Sequence, residues 1–311
     1  MKNFHAHGKL LLSGEYFVLD GALALAVPTA LGQKMTVEKG QSGQLQWKSY
    51  LLGSDTAWFE GVFEIPSLQC LSTSDQVVAD RLTALFRSME RQQADFWSGE
   101  AIYGVNMATY LEFPREWGLG SSSTLISLLA QWSGTDAYSI LEDTFGGSGY
   151  DLACANASGP IFYQKKNGTP YFVDTPFYPT FSPQLYFVYL GKKQNSREGI
   201  KRYREKIDTI NKGLVHQISS LSLQMAAARS LWEWNAYVEE HEQLVSEALE
   251  LSTAKNLHFQ DFPGTIKSLG AWGGDFVLAG SEMGDIQTMQ YFKDRGYEVV
   301  LGYKDMVKGL G

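Results

Sequence analysis

At 311 residues the chain has room for one large or two ordinary domains, either of which can bury a sizeable core. Hydrophobic residues at 44% and charged residues at 19% exclude a disordered chain, and a net charge of −8 excludes a broad basic surface for nucleic acid. The two cysteines, Cys70 and Cys154, match no metal-ligand spacing and exclude a disulfide scaffold. With no apolar leader at Met1–His7 and no apolar run of about 18 residues, the expectation is a cytoplasmic protein that meets neither membrane nor nucleic acid.

In chain order, Lys9–Leu12, Leu23–Val27, Met35–Glu38 and Ala101–Leu111 have the short apolar or alternating character of strands. Asp75–Met89 breaks that pattern: Val78, Leu82, Leu85, Phe86 and Met89 recur at helical spacing, with Ser74 at the N-cap position. A second helix opens at Ser121, where Leu125, Leu128, Leu129 and Trp132 form one stripe. Beyond about residue 180 the texture changes. Leu185–Leu190 reads as a strand and Asn195–Glu198 as a capping-box helix start. Two long helices follow, marked by Leu214, Ile218, Leu221 and Met225, then by Tyr237, Leu244, Ala248 and Leu251. Phe276–Ala279 and Tyr297–Leu301 read as strands flanking a helix over Asp285–Arg295, which Gly296 closes. The fold class is α+β in both halves, with domains over 1–178 and 179–311 and the boundary in the proline-containing stretch Thr175–Pro183. Trp132, Trp232 and Trp234 read as core, and His5 and His7 as a surface pair on one strand face.

Chemistry points to four segments. Pro114–Ser123 carries Gly118-Leu119-Gly120-Ser121-Ser122-Ser123 directly into a helix. Glycines let the backbone turn tightly, and a helix start presents unpaired N–H groups and a positive dipole end, which together bind anions and above all phosphate. A serine N-cap after an ordinary turn reads the same residues without function. No Gly-x-x-x-x-Gly-Lys-[Ser/Thr] occurs, so this is not a P-loop. The dinucleotide fingerprint is also disfavoured, because its acidic partner is met only loosely by Asp136 and Glu142. In Gly146–Ala153, small neighbours leave Asp151 little steric cover, suiting it to accept or orient a proton of an attacking hydroxyl, or simply to cap a helix. Gly8–Tyr16 places Lys9 ahead of an apolar strand, as a cation for such a carboxylate or a snorkelling strand-end lysine. Lys267–Leu278 holds a glycine-rich run before a strand, readable as a turn or as a nucleotide contact.

In this order and spacing, the four segments resemble those of the GHMP kinases, the superfamily of galactokinase, homoserine kinase, mevalonate kinase and phosphomevalonate kinase. Gly8–Tyr16 with Gly21 and Ala24–Pro28 is similar to the N-terminal motif, and Pro114–Ser123 to the nucleotide loop. Ser148-Gly149-Tyr150-Asp151 resembles the segment bearing the catalytic aspartate, and Lys267–Asp275 the C-terminal glycine-rich motif. The resemblance implies a domain related to ribosomal protein S5 domain 2, followed by a ferredoxin-like domain. It also implies ATP- and Mg²⁺-dependent phosphoryl transfer to a small molecule, by a monomer or a homodimer. Asp151 and Lys9 would be catalytic, and Gly118, Leu119, Gly120, Ser121, Ser122, Ser123, Gly270, Gly273 and Gly274 would contact nucleotide. Glu15, Tyr16 and Ser148 would meet substrate, while Ser122 and Glu142, or Asp143 in its place, would hold metal.

Two departures stand out. Trp272 replaces a glycine of the C-terminal motif, and Ser122 and Asp151 are only 29 positions apart, which trims the segment for the second metal ligand. Glu15-Tyr16 and Gly273-Gly274-Asp275 lean toward the phosphomevalonate kinase branch, for whose phosphate Lys192, Lys193, Arg197 and Lys201 are candidate cations, with mevalonate close behind. A non-catalytic relative and a diphosphomevalonate decarboxylase-like enzyme are the alternatives.

Overall fold

The computed structural model describes residues 1–99, 103–192, 196–206, 212–270, 272 and 275–309, and not the side chains of 196 and 197. The chain packs as two compact units, each built from several stretches: 1–8, 31–115 and 120–156 in the first, and 9–30, 116–119 and 157–311 in the second. This grouping of contacts is a different division from domains over 1–178 and 179–311, which remain a proposal.

Strands β1 (Lys2–Leu11) and β2 (Ala24–Lys39) contribute to both units. Two predicted strands, Leu23–Val27 and Met35–Glu38, are thus one. Pro28 does not break it: its carbonyl accepts from the Lys308 N–H, and its neighbour Thr29 bridges to Val307. In the first unit, β3 (Gln44–Tyr50), β4 (Phe59–Glu64) and β5 (Cys70–Thr73) lie beside one another in the order β5-β4-β3. Their alternation, with Leu45, Trp47 and Ser49 buried and Phe59, Gly61 and Phe63 opposite, is strand-like, although no element is predicted there. Helix α1 (Gln76–Gln92) follows, capped by Asp75, whose carboxylate accepts from the Val77 and Val78 N–H groups; Ser74 is one residue too early for the role expected of it. α1 carries the chain back so that β6 (Val105–Leu111) runs parallel to β3 and antiparallel to residues 33–39 of β2. The strand expected from Ala101 begins later, and residues 101 and 102 lie outside the described ones.

Helices α2 (Ser121–Ser133), α3 (Ala137–Thr144) and α4 (Tyr150–Asn156) complete this unit, and Leu82, Phe86, Met107, Ile126, Leu129, Ile140 and Leu152 share its core with Trp47 and Phe63. Asp136 caps α3 through the N–H groups of Tyr138 and Ser139, an ordinary helix-start role. Neither Cys70 nor Cys154 is part of a disulfide. His5 Nε2 lies 2.9 Å from Glu112 Oε2 and 4.6 Å separates the ring centres of His5 and His7.

The second unit opens with β7 (Ile161–Lys166), which pairs with Ala24–Ala26 of β2, and β8 (Thr169–Asp174), joined to β7 by the turn Asn167-Gly168. Both turn residues have positive φ, 50° and 82°, as a two-residue hairpin requires. β9 (Leu185–Tyr189), α5 (Ser196–Glu205), α6 (Lys212–Ala227), α7 (Leu231–Leu249) and α8 (Ala254–His258) precede β10 (Thr265–Ser268), β11 (Phe276–Gly280), α9 (Asp285–Lys293), β12 (Val300–Gly302) and the short α10 (Tyr303–Met306). The antiparallel sheet β10-β11-β9-β12 has its first and third strands in the centre, as a ferredoxin-like sheet does.

Helix α7 corrects two expectations. Its buried stripe is Trp234, Val238, His241, Glu242, Val245 and Leu249, one residue round from the expected one, so Leu244 and Ala248 only flank the core. Trp232 points away from it and is 76% exposed, whereas Trp234 is fully buried and Trp132 partly so. Among the described residues, no helix is long and apolar enough to cross a membrane.

Candidate active site

In the first unit, the site grows from the start of α2. Its N-cap is Gly120, at φ 90°, with no side chain to accept from the first-turn N–H groups. A 13-residue helix therefore presents the amides of Ser121, Ser122 and Ser123 at its positive end, the arrangement that attracts an anion. Ser121 is half-buried, Ser122 exposed and Ser123 buried. Ser123 turns its hydroxyl inward and donates to Asp151 Oδ2 at 3.0 Å. Asp151 lies in the first turn of α4 rather than capping it, after a loop in which Gly146, Gly147 and Gly149 all have positive φ. Ala153, Cys154 and Ala155 are buried, and Ser127 Oγ holds Asn156 Oδ1 at 3.2 Å, so α2 grips α4 at both ends. Two of the four sequence segments thus meet at one hydrogen bond. Ser148 is half-buried in the loop before α4.

Of the two metal candidates on α3, Asp143 is already engaged: Ser88 donates to its Oδ2 at 2.6 Å and Arg91 at 2.6 Å, holding it below the usual carboxylate range. Glu142 is exposed. Among the described residues no group of three or more His, Cys, Asp or Glu side chains is placed to hold a metal, so an ion here would draw its other ligands from phosphate and water, as Mg²⁺ commonly does.

In the second unit, the Lys9 N–H donates to the Leu119 carbonyl at 3.0 Å, and Leu119 is buried, which fixes the loop to β1. Gly118, at φ 68°, lies so close to the Asp275 carboxyl that an added Cβ would approach it to 2.5 Å. Asp275 in turn is held by backbone bonds to Lys192 and Leu190. Gly270 has φ 61°; Gly273 and Gly274, with Lys193 and the Arg197 side chain, lie outside the described residues.

No family model matches the chain, and no curated protein sequence matches it significantly. Solved structures do. Streptococcus pneumoniae phosphomevalonate kinase, solved with phosphomevalonate and AMPPNP, superposes at TM-score 0.68 and 19% identity over 95% of this chain and 96% of its own. L. major mevalonate kinase with R-mevalonate gives 0.67 and 16% over 99% and 96%, and Lactococcus lactis galactokinase with galactose 0.68 and 10% over 100% and 94%. The chain has the GHMP kinase fold.

Within this GHMP fold, the N-terminal motif does something the sequence does not announce. Glu15, expected at the substrate, is fully buried, and its Oε1 accepts from Lys267 Nζ at 2.6 Å. Lys267, also fully buried, donates further to Glu242 Oε1 at 2.9 Å and to the Ser268 carbonyl at 2.6 Å, while Ser268 Oγ donates to Glu242 Oε2 at 2.7 Å. His241 Nε2 accepts from the Gly14 N–H at 3.0 Å and stands 3.5 Å from Glu15 Oε2, which has no hydrogen-bond partner among the described residues. Two carboxylates therefore share one ammonium. Their negative charge keeps Lys267 protonated, burial keeps His241 neutral, and burial pushes Glu15 up to about 7. The cluster corrects the substrate role expected of Glu15: it ties the Gly14–Tyr16 turn to β10 and α7. Its members His241 and Glu242 lie outside the four segments, where a His and a Glu on the apolar stripe of α7 are the available signal, and Lys267 opens the fourth segment without a role of its own there.

Glu15 has a consequence for stability. Its folded-state value lies above the ordinary 4.5, so the native state holds a proton that the unfolded chain releases first. The stabilisation is complete below about pH 4.5 and is lost as pH rises toward 7, by about 3 kcal/mol. Urea midpoints measured from pH 5 to 8 should fall less steeply in Glu15→Gln than in the parent; equal slopes would remove Glu15 as the proton holder.

Tyr16 is buried at φ 61°, stacked on Tyr203 at 5.8 Å and pushed up to about 12 by burial. Trp272 has a left-handed backbone, at φ 46°, and turns its indole inward among Tyr16, Phe17 and Tyr203, 5.9 Å from Lys267 Nζ. Trp272→Gly should relieve about 1 kcal/mol of backbone strain but forfeit about 3–5 kcal/mol of burial. The net loss would appear as a lower denaturation midpoint, and an unchanged midpoint would show the indole contributes no packing.

Proposed function

We propose that this protein is an ATP- and Mg²⁺-dependent kinase that transfers the γ-phosphate to a hydroxyl or phosphate of a mevalonate-type molecule, phosphomevalonate or mevalonate. The observation that carries this reading is the 3.0 Å bond from Ser123 to Asp151, which sets one carboxylate at an uncapped helix start. The GHMP fold supports it.

The residues fit the two groups. The Ser121, Ser122 and Ser123 amides would bind phosphate oxygens, and the exposed Ser122 hydroxyl would hold the metal, with Glu142 the acidic side chain left free of the Asp143 ion pair. ATP supplies the transferable phosphoryl group, and Mg²⁺ supplies charge neutralisation. Asp151 Oδ1 and Oδ2 divide their work: Oδ2 is oriented by Ser123, and Oδ1 accepts the proton of the substrate hydroxyl. Lys9, Gly118, Leu119 and Gly270 would act from the loop and β1 side, and Ser148 on the substrate, while Tyr16, expected there too, is packed into the core beside Tyr203. Lys192 and Lys201, both exposed, are the described cations for a phosphorylated substrate.

ADP release should be measured with mevalonate, phosphomevalonate, homoserine and sugars. Turnover confined to the first two is expected. Carbon dioxide release would instead indicate a decarboxylase, and nucleotide binding without turnover a non-catalytic relative.

A further inference from the structure

Strand β8 is unlike the other strands. It pairs only with β7 among the described strands, yet Tyr171, Phe172 and Val173 are 55%, 52% and 61% exposed. Edge strands of soluble proteins are normally blunted by charge, proline or a covering element, because their free N–H and C=O groups template pairing with another chain. Here Pro170 and Asp174 stand at the ends, and the three residues between are apolar.

The hairpin fixes which groups are free. A two-residue turn makes Lys166 and Thr169 a hydrogen-bonded pair, so bonding to β7 alternates along the strand. Thr169, Tyr171 and Val173 face β7, while the backbone groups of Pro170, Phe172 and Asp174 face outward. Pro170 fits this pattern, since its missing N–H falls on the side where β7 needs no donor.

We propose that β8 is the surface through which two copies of this chain pair, antiparallel about a two-fold axis at Phe172. In this register Phe172 opposes Phe172, and each Tyr171 opposes a Val173, so every apolar residue meets an apolar one. Phe172 exchanges both backbone bonds with its counterpart, and the Asp174 N–H donates to the Pro170 carbonyl. Asp174 then avoids its own copy and lies on the face that carries Lys165 of the other, which pairs with Pro170 in the same hairpin. The charges are therefore complementary across the join. Three half-exposed side chains and a strand edge from each copy bury less than the roughly 1,200 Å² at which standard interfaces begin, so the dimer is weak and reversible.

Sedimentation velocity of the full chain from about 1 to 100 μM should show a shift from monomer to dimer mass. Phe172→Lys, and separately Tyr171→Lys with Val173→Lys, should hold the mass at monomer over that range, with far-ultraviolet circular dichroism and melting unchanged because these side chains are solvent-exposed. Phe172→Cys should give one disulfide-linked dimer on oxidation, its Cα atoms being about 5.5 Å apart in a hydrogen-bonded pair. A parent that stays monomeric at every concentration, or a dimer that persists in both lysine variants, overturns the proposal.

Discussion

Asp151→Asn is expected to lower kcat about 10²- to 10⁴-fold with little change in the KM for ATP, the range a positioned general base contributes. The substitution keeps the shape of the side chain and an oxygen for the Ser123 hydroxyl, so the packing of α2 on α4 through Ser123 and Ser127 should survive. What it removes is the charge that draws a proton. Ser123→Ala tests the same contact from the other side: Asp151 keeps its charge but loses the bond that orients it, and a smaller loss, about tenfold, should follow. Steady-state kinetics on the substrate identified by the panel, with melting curves to show that both variants fold, decides the matter. An Asp151→Asn enzyme within a few-fold of the parent would falsify the role given to this carboxylate.

Lys267→Met should destabilise the protein by about 3–5 kcal/mol, as removing one partner of a buried ion pair does. The lysine is fully buried and is the shared donor for Glu15 and Glu242; without it, two carboxyl groups are left in a dry environment without their shared cation. The consequence reaches further than β10, because Glu15 anchors the Gly14–Tyr16 turn and Glu242 belongs to α7. A compensated variant isolates the cause. Lys267→Met combined with Glu15→Gln and Glu242→Gln removes the unpaired charge and should recover much of the loss, since a whole buried cluster can often be replaced nearly neutrally. Chemical denaturation of the three proteins measures this, and a single variant costing under about 1 kcal/mol would show that the cluster is wetter than its burial indicates.

The sequence alone determined the class of the fold and the loci of its chemistry. Local rules suffice for both: helical periodicity placed α1, α2 and α9 within a few residues, and Gly118–Ser123 and Ser148–Asp151 announce themselves because glycines and a helix start act on their immediate surroundings. Alternation in β3 and β4 was also present in the residues, though weaker than the helical signals around it. Only the tertiary structure decided what depends on partners far along the chain. Glu15 and Lys267 are 252 positions apart, and no spacing rule tells a carboxylate that reaches a ligand from one that is buried against a lysine. Trp272 is the same case: its residue type argued against a glycine loop, whereas a left-handed backbone and an inward indole reconcile the two. Desolvation makes the difference, because a charge or an indole changes its role entirely according to whether water or protein surrounds it, and that is settled by packing.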